Sequence, residues 1–431
     1  MKRHILKTYF LLCFVAPFTI RCGSIKQVPG DTIRVSNSAS IDLANKPVIL
    51  KRTELIQLPG TGYYPVITNE RKEIIPSQLD DLNGDNSWDE LFFVADLPAK
   101  KQAIFFIQWT KTPPSYTKKT SVRFGVRRSL NATVQPAVSD TFYPNQLPGV
   151  MGYQRYQTDG PTWENDKVGF RQYLDGRNSI DVFGKKTPAI TPENVGINNA
   201  GITEPNYSNM QDWGTDILHV GNSVGVGGAA LLIGDSLLRL GITEQDRLNN
   251  VDSTIFNIVT EGPVRSMMQI DYRGWKPANR DYSVIQKTSI IPGTYSFRNE
   301  FEIDRLKGDE VLLAGLVNSR SEQQLSELVV NDKWVVLYTH DKQSVNKEWF
   351  LGMALVVPKE NYLGYIKAPI TGSVATSWLA KLKPEEKKPL AWYAVACWEL
   401  SDPQFKELAF FKAYITELVK QLSAEVSIQV N

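Results

Sequence analysis

From Ile41 onward, apolar and polar residues alternate in short runs separated by turn residues at intervals of roughly eight to twelve positions. KPVILKRTELIQL, DELFFVADL, QAIFFIQWT, SVRFGVRRSL, DVFGK, GGAALLIG, SMMQIDYRGW, TSIIPG, KWVVLYTH and GMALVVP all follow this period of two. Alternation turns every second side chain to one face, as half-buried strands require. One helical pattern closes the chain. Asp402 or Ser401 is placed to cap it, Pro403 suits its first turn, and Phe405, Leu408, Phe411, Leu418 and Leu422 share one face. The short strand EVSIQV follows. The pattern predicts a mainly β protein with a small β-sandwich-like domain over 41–134. A large antiparallel β-sandwich then occupies 135–431. TKTPPSYTKKTS, from Thr110 to Ser121, reads as a loop or linker. No repeat of fixed period is present in the sequence, which argues against a propeller.

The N-terminus departs from this pattern. Lys2, Arg3, His4 and Lys7 precede the apolar run from Thr8 to Ile20, a secretory leader over 1–22 that is too short to span a bilayer stably. Arg21-Cys22-Gly23-Ser24 then places a cysteine where a lipid could be attached, giving an outer-membrane anchor at Cys22. The chain is therefore expected in the periplasm or on the outer membrane. Without Lys2, Arg3, Lys7 and Arg21, the formal charge of +2 becomes −2, so no basic field is left to attract nucleic acid. The three cysteines are Cys13, Cys22 and Cys397. A mature chain can then form no internal disulfide except through Cys22, and stability must come from core packing.

Nine charged side chains crowd into the 24 residues WENDKVGFRQYLDGRNSIDVFGKK, Trp163 to Lys186, which otherwise read as a hairpin. Alternation sets Val168, Phe170, Gln172 and Leu174 on one face and Arg171, Tyr173 and Asp175 on the other. Beyond the turn Asp175-Gly176-Arg177-Asn178, Ile180 and Val182 face the core while Asp181, Phe183 and Lys185 face away. Cations, carboxylates and a phenol side by side suit recognition of a polar ligand or acid–base work. A solvent-facing hairpin with ion pairs across its strands would have the same pattern.

Three other segments bear on chemistry. In WGTDILHVGNSVGVGG the glycines lack the following helix of a phosphate-binding loop, so they read as tight turns and close sheet packing. Asp216 is the odd polar residue on an apolar row there and must be paired or functional. His219 lies on the opposite face; it and His340 are the histidines beyond the leader. In DDLNGDNSWDE, oxygen-bearing Asp81, Asn83, Asp85, Ser87 and Asp89 recur at every second position, which would suit a structural calcium. Gly84 and Phe92 stand where an EF-hand would need other residues, and an acidic hairpin turn is the plainer reading. Finally, Trp163, Trp213, Trp275, Trp398 and Glu399 are candidates for stacking on and holding a sugar, although aromatics of this kind also fill cores.

IPSQLDDLNGDNSWDELFFVADL, GPTWENDKVGFRQYLDGRNSIDVFGKK, GTDILHVGNSVGVGG and GPVRSMMQIDYRGW together resemble an uncharacterised family of secreted bacterial proteins. This is the domain-of-unknown-function family 4861, commonly encoded in polysaccharide-utilisation clusters. The likeness runs from about Ile41 to Glu425. It implies a galactose-mutarotase-like supersandwich and a complex-carbohydrate context; it carries no established catalytic residues. Lys is frequent in the family where His219 stands here, which weakens the case for a catalytic imidazole.

With that resemblance, the charged ribbon is expected to be the concave face of a glycan site. The leading expectation is a glycoside hydrolase or polysaccharide lyase acting on acidic plant or algal polysaccharides, with no required cofactor. Hydrolysis needs two carboxylates, for which Glu164, Asp175, Asp181 and Asp216 are candidates. β-Elimination needs a cation beside the sugar carboxylate, from Arg171, Arg177 or Lys185, and a base such as Tyr173. On either chemistry, removing Arg171 or Asp181 is expected to abolish turnover and leave the fold intact. The alternative is a non-catalytic glycan-binding protein of a polysaccharide-utilisation system. A sugar epimerase or mutarotase is a weaker third reading, disfavoured by the scarcity of histidine.

Overall fold

The structure is a computed structural model that describes residues 28–242 and 250–431. Its larger unit is an antiparallel sandwich. One layer is a nine-stranded sheet in the order Ser139–Phe142, Ser253–Glu261, Ser266–Trp275, Tyr282–Ile290, Ser296–Asp304, Leu390–Trp398, Trp349–Pro358, Trp334–Ser344, Ser326–Val329. Two five-stranded sheets contribute the facing side chains. The first runs Gly214–Asp216, Ile180–Lys185, Val168–Gln172, Thr162–Asn165, Thr120–Arg123. The second runs Ser236–Arg239, Val226–Ile233, Glu310–Val317, Ser377–Leu382, Tyr362–Lys367. Phe297 of the nine-stranded layer meets Trp163 and Phe170 of the first five-stranded sheet, with ring centroids 5.2 and 4.5 Å away. All three are buried, and each large apolar side chain so placed contributes about 1.5–3 kcal/mol.

The two five-stranded sheets meet edge to edge through a parallel bridge between Ile180 and Gly225. Gly225 has φ +78°, and a Cβ there would lie 1.7 Å from the Ile180 carbonyl oxygen, so only glycine permits the join. This is the close packing expected of the glycine-rich segment.

The smaller unit packs a three-stranded sheet against a five-stranded one around Ile33, Val35, Val48, Phe93, Phe105 and Trp109. Strand pairing redraws its boundaries. Val28–Asn37, ahead of the expected start, pairs with the last strand of the chain, Val426–Val430, in antiparallel register from Ile33↔Val430 to Asn37↔Val426. Thr120–Arg123, assigned by pattern to the small domain, is an edge strand of the sheet that carries the charged ribbon. SVRFGVRRSL is broken after Arg123 and resumes only as Gly125–Val126, in another sheet. Between the units, buried Arg265 is bound to Asp80 and to Glu90 (2.9 Å) and lies 4.2 Å from the Phe92 ring centroid.

The terminal helix spans Leu408–Ser423, and a single helical turn also occurs at Pro148–Met151. Asp402 caps a preceding 3-10 turn, Pro403–Lys406, by accepting from the Gln404 amide at 3.0 Å. That turn resets the phase of the pattern. Phe405, Phe411, Ile415, Leu418 and Val419 are buried, whereas Leu408, expected on the same face, is exposed. Among the described residues no helix is long and apolar enough to cross a membrane. The expected leader and Cys22 lie outside the described residues.

Candidate functional site

The ribbon has the facing expected of it. Phe170 and Val182 point into the sandwich, and Arg171 and Asp181 are cross-strand partners on the other side. That other side is not open to water, however. Residues 187–213 fold over it, and Val195, Tyr207 and Trp213 join Phe183 in a small apolar cap. Lys185 and Arg171 are buried beneath it, and Asp181 has no exposure at all.

The cations and carboxylates divide into two groups. Lys185 Nζ donates to Glu164 Oε2 (2.5 Å) and to the Asn165 carbonyl oxygen (2.6 Å), while Glu164 also accepts from the amide and hydroxyl of Thr191. Arg123 Nη2 lies 3.7 Å from the same carboxylate. Glu164 and Lys185 are therefore corrected from catalytic candidates to a sealed structural pair. Its burial repays the desolvation of each charge only because nearly every lone pair and proton is used.

The second group centres on Arg171. Its Nη2 donates to Asp181, to the Tyr173 hydroxyl and to Asp216 Oδ2 (2.8 Å), and its Nη1 lies 3.3 Å from Asp159 Oδ2. The guanidinium carbon rests 4.2 Å from the Tyr173 ring centroid and 4.9 Å from that of Tyr207. The Tyr207 hydroxyl donates to Asp159 at 2.7 Å. Arg177 lies on the Tyr173 ring at 4.3 Å, with its Nη2 2.7 Å from Asp175 Oδ2 and its Nη1 donating to the Gly221 carbonyl oxygen. Arg171, Tyr173, Asp175, Arg177, Asp181 and Asp216 are thus brought together. Asp159 and Tyr207 complete the set. Neither was legible: Asp159 sits in an ordinary Asp-Gly turn, and Tyr207 is distant in sequence. The Asp159 backbone has φ +62°, a left-handed conformation that Asp adopts readily in turns, so it gives no separate signal.

Exposure then separates the members of the group. Asp181 is wholly buried, but side chains of Asp159 (26%), Asp216 (18%), Asp175 (20%) and Arg177 (26%) reach solvent. Burial pushes the Asp216 carboxyl up to about 8, Asp181 adds to the rise, and Arg171 only partly offsets it. Although part of Asp216 is open, dense protein on its other sides dominates. Burial opposes the Arg171 charge, yet Asp181 and Asp216 hold the guanidinium protonated. Burial first, and then Asp181, raises the Tyr173 phenol well above its ordinary range.

Arg239 braces the rim. It is buried, among the described residues without a carboxylate in contact, and its nitrogens donate to the carbonyl oxygens of Arg177, Asn222, Ser223 (2.6 Å) and Ser373. Burial, then neighbouring Arg177, lowers it to about 10.

The structure removes several expected ligand-contacting residues. Trp163, Trp275 and Trp398 are core side chains, packed against Phe170, Tyr282 and Trp349 respectively, and offer no ring face to a sugar. Trp213 is buried in the cap against Phe183, and Glu399 turns one carboxylate oxygen into a buried position. His219 is exposed on the loop after Asp216, and His340 is packed between Phe350 and Phe411. In the acidic loop proposed for calcium, the oxygens accept from the loop's own backbone. Asp81 accepts from the amides of Gly84 and Asn86, Asn83 from Asp85, Asp85 from Ser87, and Asp89 from Leu82, while Ser87 is taken by Arg52. The alternating oxygens close the turn on itself. Among the described residues no three His, Cys, Asp or Glu side chains converge as metal ligands.

Residues 35–428 match the family described as Domain of unknown function (DUF4861). The chain belongs to that family. This DUF4861 protein is 25% identical over 453 residues to "Uncharacterized protein P7" of Formosa agariphila, with 98% of this chain and 100% of that protein covered. Two solved structures from Enterococcus faecalis are also similar, each at 10% identity. A protein in glycosyl hydrolase family 38 gives a TM-score of 0.46, and an α-mannosidase of strain V583 gives 0.45. Each covers 93% of this chain, which spans about half the length of those two proteins, 47% and 46%.

Proposed function

We propose that this DUF4861 protein is a secreted carbohydrate-active enzyme that hydrolyses a glycosidic bond in acidic plant or algal polysaccharides. The observation that carries the reading is the pair Asp159 and Asp216 on one guanidinium. Arg171 bridges them through its two terminal nitrogens, which keeps the two contacting oxygens within about 9 Å of each other by the planar geometry of the fork. That ceiling lies below the upper limit for glycosidase carboxyl pairs, about 9.5 Å. Their environments also differ in the required sense. Asp216 keeps its proton near neutrality and can protonate a leaving oxygen. Asp159 accepts from Arg171, Tyr207 and Gln154, donors that would orient it as the nucleophile or base. Asp181 would hold the guanidinium from behind without touching substrate.

The geometry supports β-elimination less well. Tyr173 would have to lose its proton as the base, but burial and Asp181 make that harder. Incubation with a panel of plant and algal glycans, followed by reducing-end and unsaturated-uronate measurements, tests the reading. New reducing ends without ultraviolet absorbance are expected; unsaturated products would overturn hydrolysis. Binding with neither signal would favour the non-catalytic alternative.

A further inference from the structure

We propose that the sugar unit held at the Arg171 cluster is uncharged, and that a uronate is excluded there even where the surrounding polymer is acidic. The inference rests on the hydrolase reading of the same site and concerns what that site admits.

A uronate would need a cation free to receive it. Arg171 is closed off: it is buried, and its terminal nitrogens are already bonded to Asp159, Asp181, Asp216 and Tyr173. Arg239 is buried and its donors end on carbonyl oxygens and the Ser179 hydroxyl. The Lys185 charge is sealed against Glu164. Arg177 alone of these cations reaches solvent, and its guanidinium is held by Asp175 and by the Gly221 carbonyl oxygen. Among the described residues of the cluster, those whose charged groups reach solvent are Asp159, Asp175 and Asp216, together with Arg177. A sugar carboxylate would meet the acceptor oxygens of Asp159 and Asp175 where it needs donors, and like charges at contact oppose binding. Sugar hydroxyls suit the same rim, since each can donate to Asp159 or Asp175 and accept from Arg177 or protonated Asp216.

The test is calorimetric titration of the intact protein at neutral pH with two oligosaccharide sets. One is neutral (gluco-, galacto-, manno- and xylo-oligomers), and the other is uronate (oligogalacturonate, oligoglucuronate and alginate oligomers). A neutral oligomer is expected to bind at least about tenfold tighter than any uronate, a gap that narrows at high salt as the repulsion is screened. Asp175→Asn should narrow it further by freeing Arg177. A uronate binding as tightly as the best neutral oligomer at low salt would overturn the inference and leave hydrolysis standing. Neutral binding, with no new reducing ends from any glycan of the plant and algal panel, would support it while the hydrolase reading falls. No binding from either set would overturn both.

Discussion

The Tyr173 hydroxyl donates to Asp181 Oδ2 at 3.1 Å, so the phenol that the sequence offered as a base is committed to a buried carboxylate. Tyr173→Phe removes that donor and an acceptor for Arg171. A single hydrogen bond of this kind contributes about 0.5–1.5 kcal/mol, and leaving a buried carboxylate short of a donor costs about 1–3 kcal/mol. A lower thermal melt is expected, with kcat retained to within about tenfold. A loss in the range of about 10²–10⁴ would instead mark Tyr173 as the group that transfers the proton.

Asp216→Asn removes the proposed acid while keeping shape. Turnover on an unactivated glycoside should fall by about 10²–10⁴, the usual contribution of a positioned acid. Substrates with a good leaving group should suffer less, because they need no proton. In the wild type, kcat/KM should decline as pH rises through about 8, where Asp216 ionises.

The same residue predicts a stability profile. The folded state holds the Asp216 proton up to about 8, against 3.8 ordinarily, so it binds more protons than the unfolded chain between those values. Its contribution is fully present below the lower value and is lost as pH rises through the upper one. Melts recorded between the two should fall with pH in the wild type and fall less steeply in Asp216→Asn. An identical slope in both proteins would place the titration elsewhere.

Arg171→Ala is not the silent change that an exposed ribbon would allow. Asp181 would be left wholly buried without its counter-charge, a loss on the order of 3–5 kcal/mol. Activity and melt should collapse together. Asp181→Ala should also lower the melt, because it leaves Arg171 with only the partly exposed carboxylates.

Gly225→Ala tests the join between the two five-stranded sheets. With a Cβ 1.7 Å from the Ile180 oxygen at φ +78°, the bridge must open. A loss of several kcal/mol, or failure to fold, is expected in chemical denaturation, in line with other substitutions at such backbone sites.

Alternation by itself determined the β class, the facing of Phe170 and Arg171, and the grouping of Arg171, Tyr173 and Asp181, because a strand's period of two is a local property of the backbone. The same logic placed Asp216 where a carboxylate had to be paired. What covers a face is not local. Only the tertiary structure decided that residues 187–213 lie over the ribbon, sealing Glu164 with Lys185 and leaving Asp159 and Asp216 at the rim. It also turned Trp163, Trp275 and Trp398 inward, brought Asp159 and Tyr207 to Arg171, and paired the last strand with the first. Those outcomes come from contacts between residues far apart in the chain, whose free energy depends on packing that no local pattern encodes.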